Sequence, residues 1–322
     1  MRLFSKVALA VSALIALSGT AKAEFPERPI TVIVPWAAGG GTDAVARIFA
    51  SGFEQEIGQP VNIVNRPGGN GVAGHTAIMT ATPDGYTLGV ASPEIAFYKA
   101  LGTAKMTTAD FDLFSRLAIL PAGVTVIASS PYKSLGELLD AIKERPAGSL
   151  SASGSGTGGS WHVAIGGLLK ASGIDANRVK WVPSQGGAPA LQDVMSGGIT
   201  MFTGSPVEAQ GLLEAGKVRT LAMMTDTRVQ PFPNVPTTKE ANVDWQYANW
   251  FAFVGPNGLP KTVRDKLYAA AERAQARPEV QEMMKKRGIT PVWDKPGEAS
   301  AYAAQFAKGG IAVLTDLGLT RE

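Results

Sequence analysis

The apolar positions fall into two alternating rhythms. Ile30–Val34, Val61–Asn65, Thr87–Ala91 and Val124–Ala128 are short runs rich in β-branched residues, the pattern of buried strands. Helical spacing follows the first two of them, over Asp43–Ile57 and Gly71–Thr80. In the first helix Val45, Ile48, Phe49 and Phe53 share a face. A second series opens with a helix over Ser134–Arg145, where Ser134 and Glu137 have capping-box spacing. Strands at Leu150–Ala152, Val179–Val182, Ile199–Thr203 and Val218–Met224 then alternate with helices at Ser160–Ala171, Ala188–Met195 and Pro206–Glu214. Arg228–Tyr247 breaks the rhythm with Pro231, Pro233 and Pro236 and reads as an irregular surface segment. Beyond it come a strand at Trp250–Val254, helices at Pro260–Ala276, Pro278–Arg287 and Pro296–Leu314, and a short strand at Ile289–Val292.

Alternating strands and helices predict an α/β fold with mainly parallel sheets flanked by helices. A chain of 322 residues exceeds what one core ordinarily holds, so two domains are expected. The segment after Trp250 is too thin in strands to be a third domain and is expected to pack back on the first sheet. Domain one is expected over 24–127 plus 249–322 and domain two over 128–248, with crossings near Ile127 and Asn249.

The N-terminal segment predicts a location outside the cytoplasm. Arg2 and Lys6 precede the apolar run Val7–Leu17, which is too short to span a bilayer, and Ala21-Lys22-Ala23 has the small-x-small form of a cleavage site. This predicts a signal peptide over 1–23, cleaved after Ala23, and a periplasmic protein. Arg2, Lys6 and Lys22 leave with it, so the remainder carries 27 basic against 27 acidic residues. That balance, without a basic run interleaved with aromatics, argues against nucleic-acid binding. The sequence has no cysteine, so an exported chain must rest on ordinary cores.

Candidate chemistry lies in the loops that follow the strands. After the first strand comes Pro35-Trp36-Ala37-Ala38-Gly39-Gly40-Gly41-Thr42-Asp43. A strand–glycine loop–helix unit aims backbone N–H groups and a positive helix end at one spot, which suits a small anion. Ser92-Pro93-Glu94 follows the third strand, and Ser153-Gly154-Ser155-Gly156-Thr157-Gly158-Gly159-Ser160 opens the second series. Gln185-Gly186-Gly187 and Thr203-Gly204-Ser205-Pro206 follow later strands. Each loop alone fits a tight turn equally well. Together they predict a cleft in which two lobes grip a small acid. Asp43 either complements its helix dipole or meets the ligand; Trp36 is either core or a platform for an apolar ligand body. Arg66, in a turn-like Asn-Arg-Pro-Gly, is the candidate buried cation near the site.

Other chemistries find little support. Gly154, Gly156 and Gly159 match G-x-G-x-x-G spacing, but no acidic residue stands at the ribose position. His75 and His162 are the only histidines and no H-E-x-x-H occurs, so no metal or cofactor is expected. Ser160 and His162 leave open an exported hydrolase, without a G-x-S-x-G elbow to support it.

Several of these segments also carry a resemblance. Phe25-Pro26-Glu27-Arg28-Pro29-Ile30, Val34-Pro35-Trp36 through Asp43 with Ala46-Arg47, Val64-Asn65-Arg66-Pro67-Gly68-Gly69 and Pro83-Asp84-Gly85-Tyr86-Thr87-Leu88 are followed by Gly186-Gly187-Ala188-Pro189-Ala190-Leu191, Gly216-Lys217-Val218-Arg219 and Phe232-Pro233-Asn234-Val235-Pro236-Thr237. In this order the chain resembles the periplasmic substrate-binding receptors of tripartite tricarboxylate transporters, the Bug receptors. The resemblance implies a monomeric, two-domain periplasmic binding protein of type II-like architecture. It implies a small organic carboxylate held between the domains by Trp36–Asp43 and Ser153–Ser160, and delivery to membrane permease subunits. Trp36 stands where the family often has Phe or Tyr, and Glu94 where an uncharged polar loop is usual. A sensory receptor of the same fold, docking on a signalling protein, is the alternative role.

Overall fold

The structure, a computed structural model, describes residues 24–295 and 297–321; the expected signal peptide lies outside them. The chain begins as its pattern dictates. The run Ile-Thr-Val-Ile-Val forms β1 (Ile30–Val34), almost wholly buried. The glycine loop follows, and α1 (Gly41–Ile57) ends at Gly58, whose left-handed φ of 75° lets its N–H turn back on the helix. Then come β2 (Val61–Asn65), α2 (Val72–Met79), β3 (Thr87–Ala91), the one-turn α3 (Tyr98–Leu101) and β4 (Phe111–Pro121). The second series is β5 (Gly123–Ile127), α4 (Leu135–Glu144), β6 (Ser151–Ser153), α5 (Ser160–Ala171), β7 (Lys180–Trp181), α6 (Gly187–Met195), β8 (Met201–Phe202), a 3-10 turn at Pro206–Ala209, α7 (Gln210–Glu214) and β9 (Val218–Met223). The chain finishes with β10 (Ala248–Pro256), α8 (Lys261–Ala276), α9 (Pro278–Lys286), β11 (Thr290–Pro291) and α10 (Glu298–Asp316).

Two sheets result. The first has order β11-β4-β10-β3-β1-β2 and the second β7-β6-β8-β5-β9. Both are mixed rather than mainly parallel. β1 pairs in parallel with β2 and β3, but β10 runs antiparallel to β3 and β4. In the second sheet β5 runs antiparallel to β8 and β9. The reversed strands are the ones that cross between the lobes, β5 into the second sheet and β10 back into the first, each entering its sheet from the junction rather than over a βαβ helix.

The crossings sit at one point. β4 ends at Pro121 and β5 starts at Gly123, so Ala122 is the first link, and the expected crossing near Ile127 falls five residues too late. The whole of β5 belongs to the second sheet. The return runs from Met224 to Tyr247. Ala122 donates to the Tyr247 carbonyl at 2.9 Å, and Met224 donates to the Ala122 carbonyl at 2.8 Å. Both links therefore lie side by side.

Each sheet carries its own core. On the first, Phe49 and Phe53 of α1 meet Phe253 of β10 at ring-centroid distances of 5.0 and 5.1 Å. On the second, α4 and α5 cover β5, β6 and β8 with Leu138, Ile142, Val163 and Leu168. The C-terminal helix departs from expectation. Ala299 and Ala303 pack on the first lobe, but Val313, Leu314 and Leu317 join the core of the second, and Asp316 pairs with Lys170. α10 thus straps both lobes. Among the described residues no helix is long and apolar enough to cross a membrane.

Candidate functional site

The N-termini of α1 and α5 come from opposite lobes and face one enclosed cavity. From the first lobe it is lined by Trp36, Gly40, Gly41, Thr42, Ser92 and Glu94, with Asn249 and Phe251 of β10. From the second it is lined by Gly154, Ser155, Trp161, Gly186, Gly187 and Glu208. The enclosed space is about 20 Å³, roughly one water-sized centre.

Two glutamates cross between the lobes in reciprocal fashion. Glu94, on the turn after β3, accepts the Ser160 N–H at the start of α5 at 2.8 Å. Glu208, on the turn after β8, accepts the Gly41 N–H at the start of α1 at 2.8 Å. Each lobe therefore sets a carboxylate on the positive helix end of the other. Glu94 is only 2% exposed. Its second oxygen accepts the Ser92 hydroxyl at 2.6 Å, and that hydroxyl accepts the Trp36 indole N–H at 2.9 Å. Beneath Ser92, its N–H donates to His75 Nε2 at 3.3 Å. His75 Nδ1 lies 2.8 Å from the Tyr98 hydroxyl, which donates to the Asn70 carbonyl at 2.9 Å. With Nε2 accepting, the proton sits on Nδ1, and burial holds His75 neutral with a pKa lowered to about 3.

Glu208 is partly buried. Its second oxygen accepts the Ser205 N–H at 3.1 Å, completing a capping box with Ser205. Glycine backbone of both lobes surrounds the carboxylate. A Cβ on Gly187 would stand 2.3 Å from Glu208 Oε1, and one on Gly204 2.6 Å from Oε2. Burial pushes the Glu208 pKa up to about 7, and the nearby Glu94 charge adds to it. Burial also raises Glu94, against the hydrogen bonds from Ser92 and Ser160.

Several of the expected residues do not line this cavity and make bracing bonds in the structure. Asp43 does not line the cavity. Its carboxylate accepts the Gly39 N–H at 2.9 Å, Asn65 Nδ2 at 2.9 Å and Arg47 Nε at 3.0 Å, so it ties the glycine loop to β2. Burial alone would raise its pKa, but these donors hold it below the usual value. Ala37 donates to the Gln185 carbonyl at 3.2 Å, and Asn70 Nδ2 donates to the Thr157 carbonyl at 3.3 Å. These are bonds between the lobes. A Cβ on Gly156 would meet Asn70 at 2.5 Å and one on Gly158 would meet Leu101 at 2.6 Å, so these glycines let the second-lobe loop seat on the first lobe. Ala38 and Gly39 are exposed, and Ser153, Gly159 and Ser205 lie behind the cavity wall. Arg66 is exposed and is not the expected buried cation.

Ser160 and His162 form no catalytic pair. Ser160 Oγ bonds the Tyr247 hydroxyl at 2.8 Å and also Asn249. His162 Nδ1 accepts the Gly158 N–H at 3.1 Å while its ring stacks on Trp181 at 4.4 Å. Among the described residues no cluster of His, Cys, Asp or Glu is placed to hold a metal ion.

Sequence reasoning missed Glu208, Trp161, Asn249 and Phe251 as lining residues. A signal existed for Glu208: Ser205 and Glu208 stand at capping-box spacing.

Residues 45–319 match the family described as "tripartite tricarboxylate transporter family receptor". The chain belongs to this family. A Cupriavidus necator protein, "UPF0065 protein in gbd 5'region", is 30% identical over 98% of this chain and 95% of its own length. The structure of the periplasmic binding protein BugD superposes with a TM-score of 0.85 at 26% identity, covering 92% of this chain and 100% of its own. A Rhodopseudomonas palustris protein solved with adipate also gives 0.85 at 26% identity, covering 92% and 99%. The receptor therefore has the two-domain α/β fold of periplasmic binding proteins, and it binds solutes rather than transforming them.

Proposed function

We propose that this receptor captures a small organic carboxylate between its lobes in the periplasm, after cleavage behind Ala23, and delivers it to the permease subunits of a tripartite tricarboxylate-type transporter. The observation that carries the reading is one cavity between the lobes lined by glycine backbone from both, Gly40 and Gly41 from the first and Gly154, Gly186 and Gly187 from the second. Successive backbone N–H groups in such loops suit a carboxylate. The adipate complex of a related protein supports the ligand class. The lobes, 24–121 with most of 248–321 and 123–223, swing about Ala122 and the Met224–Tyr247 return, which link the two sheets among the described residues, with α10 bending or sliding as they move.

The test is a thermal-shift screen of the mature protein against mono-, di- and aromatic carboxylates, followed by uptake of the best ligand in cells lacking the receptor. At ~100 times its Kd, a ligand of the folded state adds about 2.7 kcal/mol of stability. Uptake that fails without the receptor supports delivery. Normal uptake with loss of a transcriptional response supports the sensory role instead.

A further inference from the structure

The cavity is walled by acid, with no cationic side chain to meet a second ligand carboxylate. Glu94 and Glu208 both line it, and none of its lining residues is Lys, Arg or His. Their carboxylates already take the Ser160 and Gly41 N–H groups, the first donors of α5 and α1. A ligand carboxylate arriving at either helix end meets an occupied donor and a like charge. Buried carboxylates without a counter-charge are costly, and partial helix charges compensate them only in part. Trp36, Trp161 and Phe251 line the same space, and aromatic faces favour cations.

Resting on the carboxylate reading above, we infer that the ligand of this receptor also carries a cationic nitrogen, received by Glu94 and Glu208, which are its specificity-determining residues. The ligand is then an amino acid or another aminocarboxylate rather than a plain diacid. Its carboxylate meets the glycine backbone of Gly154–Ser155 and Gly186–Gly187, and its nitrogen faces the two glutamates. Each glutamate is fixed from both lobes, so the cation is bridged only when the lobes are together. Glu208 also borders an open groove that shares Gly40 and Gly41 with the cavity.

The experiment is calorimetric titration of the mature protein with length-matched probes: succinate, 4-aminobutanoate and 1,4-diaminobutane, then adipate, 6-aminohexanoate, 2-aminohexanoate and 1,6-diaminohexane. An aminocarboxylate binding at least tenfold tighter than the diacid of its length is expected. Glu208→Gln and Glu94→Gln keep the size of the side chain and remove its charge. Each should shrink that ratio by tenfold or more, chiefly by weakening the aminocarboxylate. A diacid that binds wild type more tightly than its aminocarboxylates overturns this inference and leaves the carboxylate reading intact. Binding by diamines alone overturns the carboxylate reading and leaves the cation assignment standing. A ratio unchanged in both folded variants, or binding by no probe, overturns the inference.

Discussion

Glu208 reaches from the second lobe to the Gly41 N–H of the first at 2.8 Å, closing the cavity with a charge-assisted bond between two domains. Glu94 does the same in reverse toward Ser160, also at 2.8 Å. The two carboxylates that join the lobes also line the cavity.

Glu208→Ala removes an acceptor shared by the Gly41 and Ser205 N–H groups. A hydrogen bond to a charged group contributes about 1.5–3 kcal/mol, enough to shift an open–closed equilibrium at least about tenfold. Small-angle scattering of the ligand-free variant should give a larger radius of gyration than wild type. An unchanged radius would mean that the remaining contacts between lobes hold them together without Glu208.

Gly156→Val and Gly40→Val test the two glycine loops separately. At 156 the added Cβ runs into Asn70 at 2.5 Å, across the lobe boundary. At 40 the Cβ itself stands 3.4 Å from Glu208 Oε1, and valine's methyl groups press further on that carboxylate. Both variants should lose ligand affinity at least about a hundredfold, near 2.7 kcal/mol, with wild-type far-UV circular dichroism. Full affinity in either would remove that loop from the closed state.

Asp43→Asn separates bracing from binding. The change keeps the shape of the side chain but weakens bonds to Gly39, Arg47 and Asn65. A loss on the order of 1–2 kcal/mol in urea unfolding is expected. Lost affinity at unaltered stability would instead make Asp43 a ligand contact.

The pH dependence combines opposing signs. His75 and His162 are held neutral by burial, with pKa values lowered to about 3 and about 4. Their contribution is present above pH 6.5 and lost as pH falls toward those values. Glu208 has its pKa raised to about 7, so its contribution is full below about 4.5 and lost as pH rises through 7. Melting curves of wild type and Glu208→Gln should therefore converge near pH 5 and separate toward pH 8, with the variant gaining on wild type. Parallel curves over that range would show that Glu208 titrates normally.

The first β–α unit was legible because its information is local. Five successive residues make β1, and the glycines after it set the entry to α1. β4 was not legible. Its Asp112 and Arg116 break the apolar run, and what makes them tolerable is remote: Arg264 reaches Asp112 at 2.7 Å and Asp294 reaches Arg116 at 2.8 Å. The site divides in the same way. Trp36, Gly41, Ser92, Glu94 and Gly187 follow strand ends and could be read off; Glu208 offered only its capping box, because its second partner, Gly41, lies 167 residues away. Gly156 was readable as a loop glycine, but its task of seating that loop against Asn70 was not.

The most direct measurement is a crystal structure of the mature receptor with its tightest-binding carboxylate. The account predicts one molecule between the start of α1 and the start of α5, contacted by both lobes, with Glu94 and Glu208 on its walls. Ligand seated on a single lobe, or in the outer groove beside Lys286 and Arg287, would contradict it.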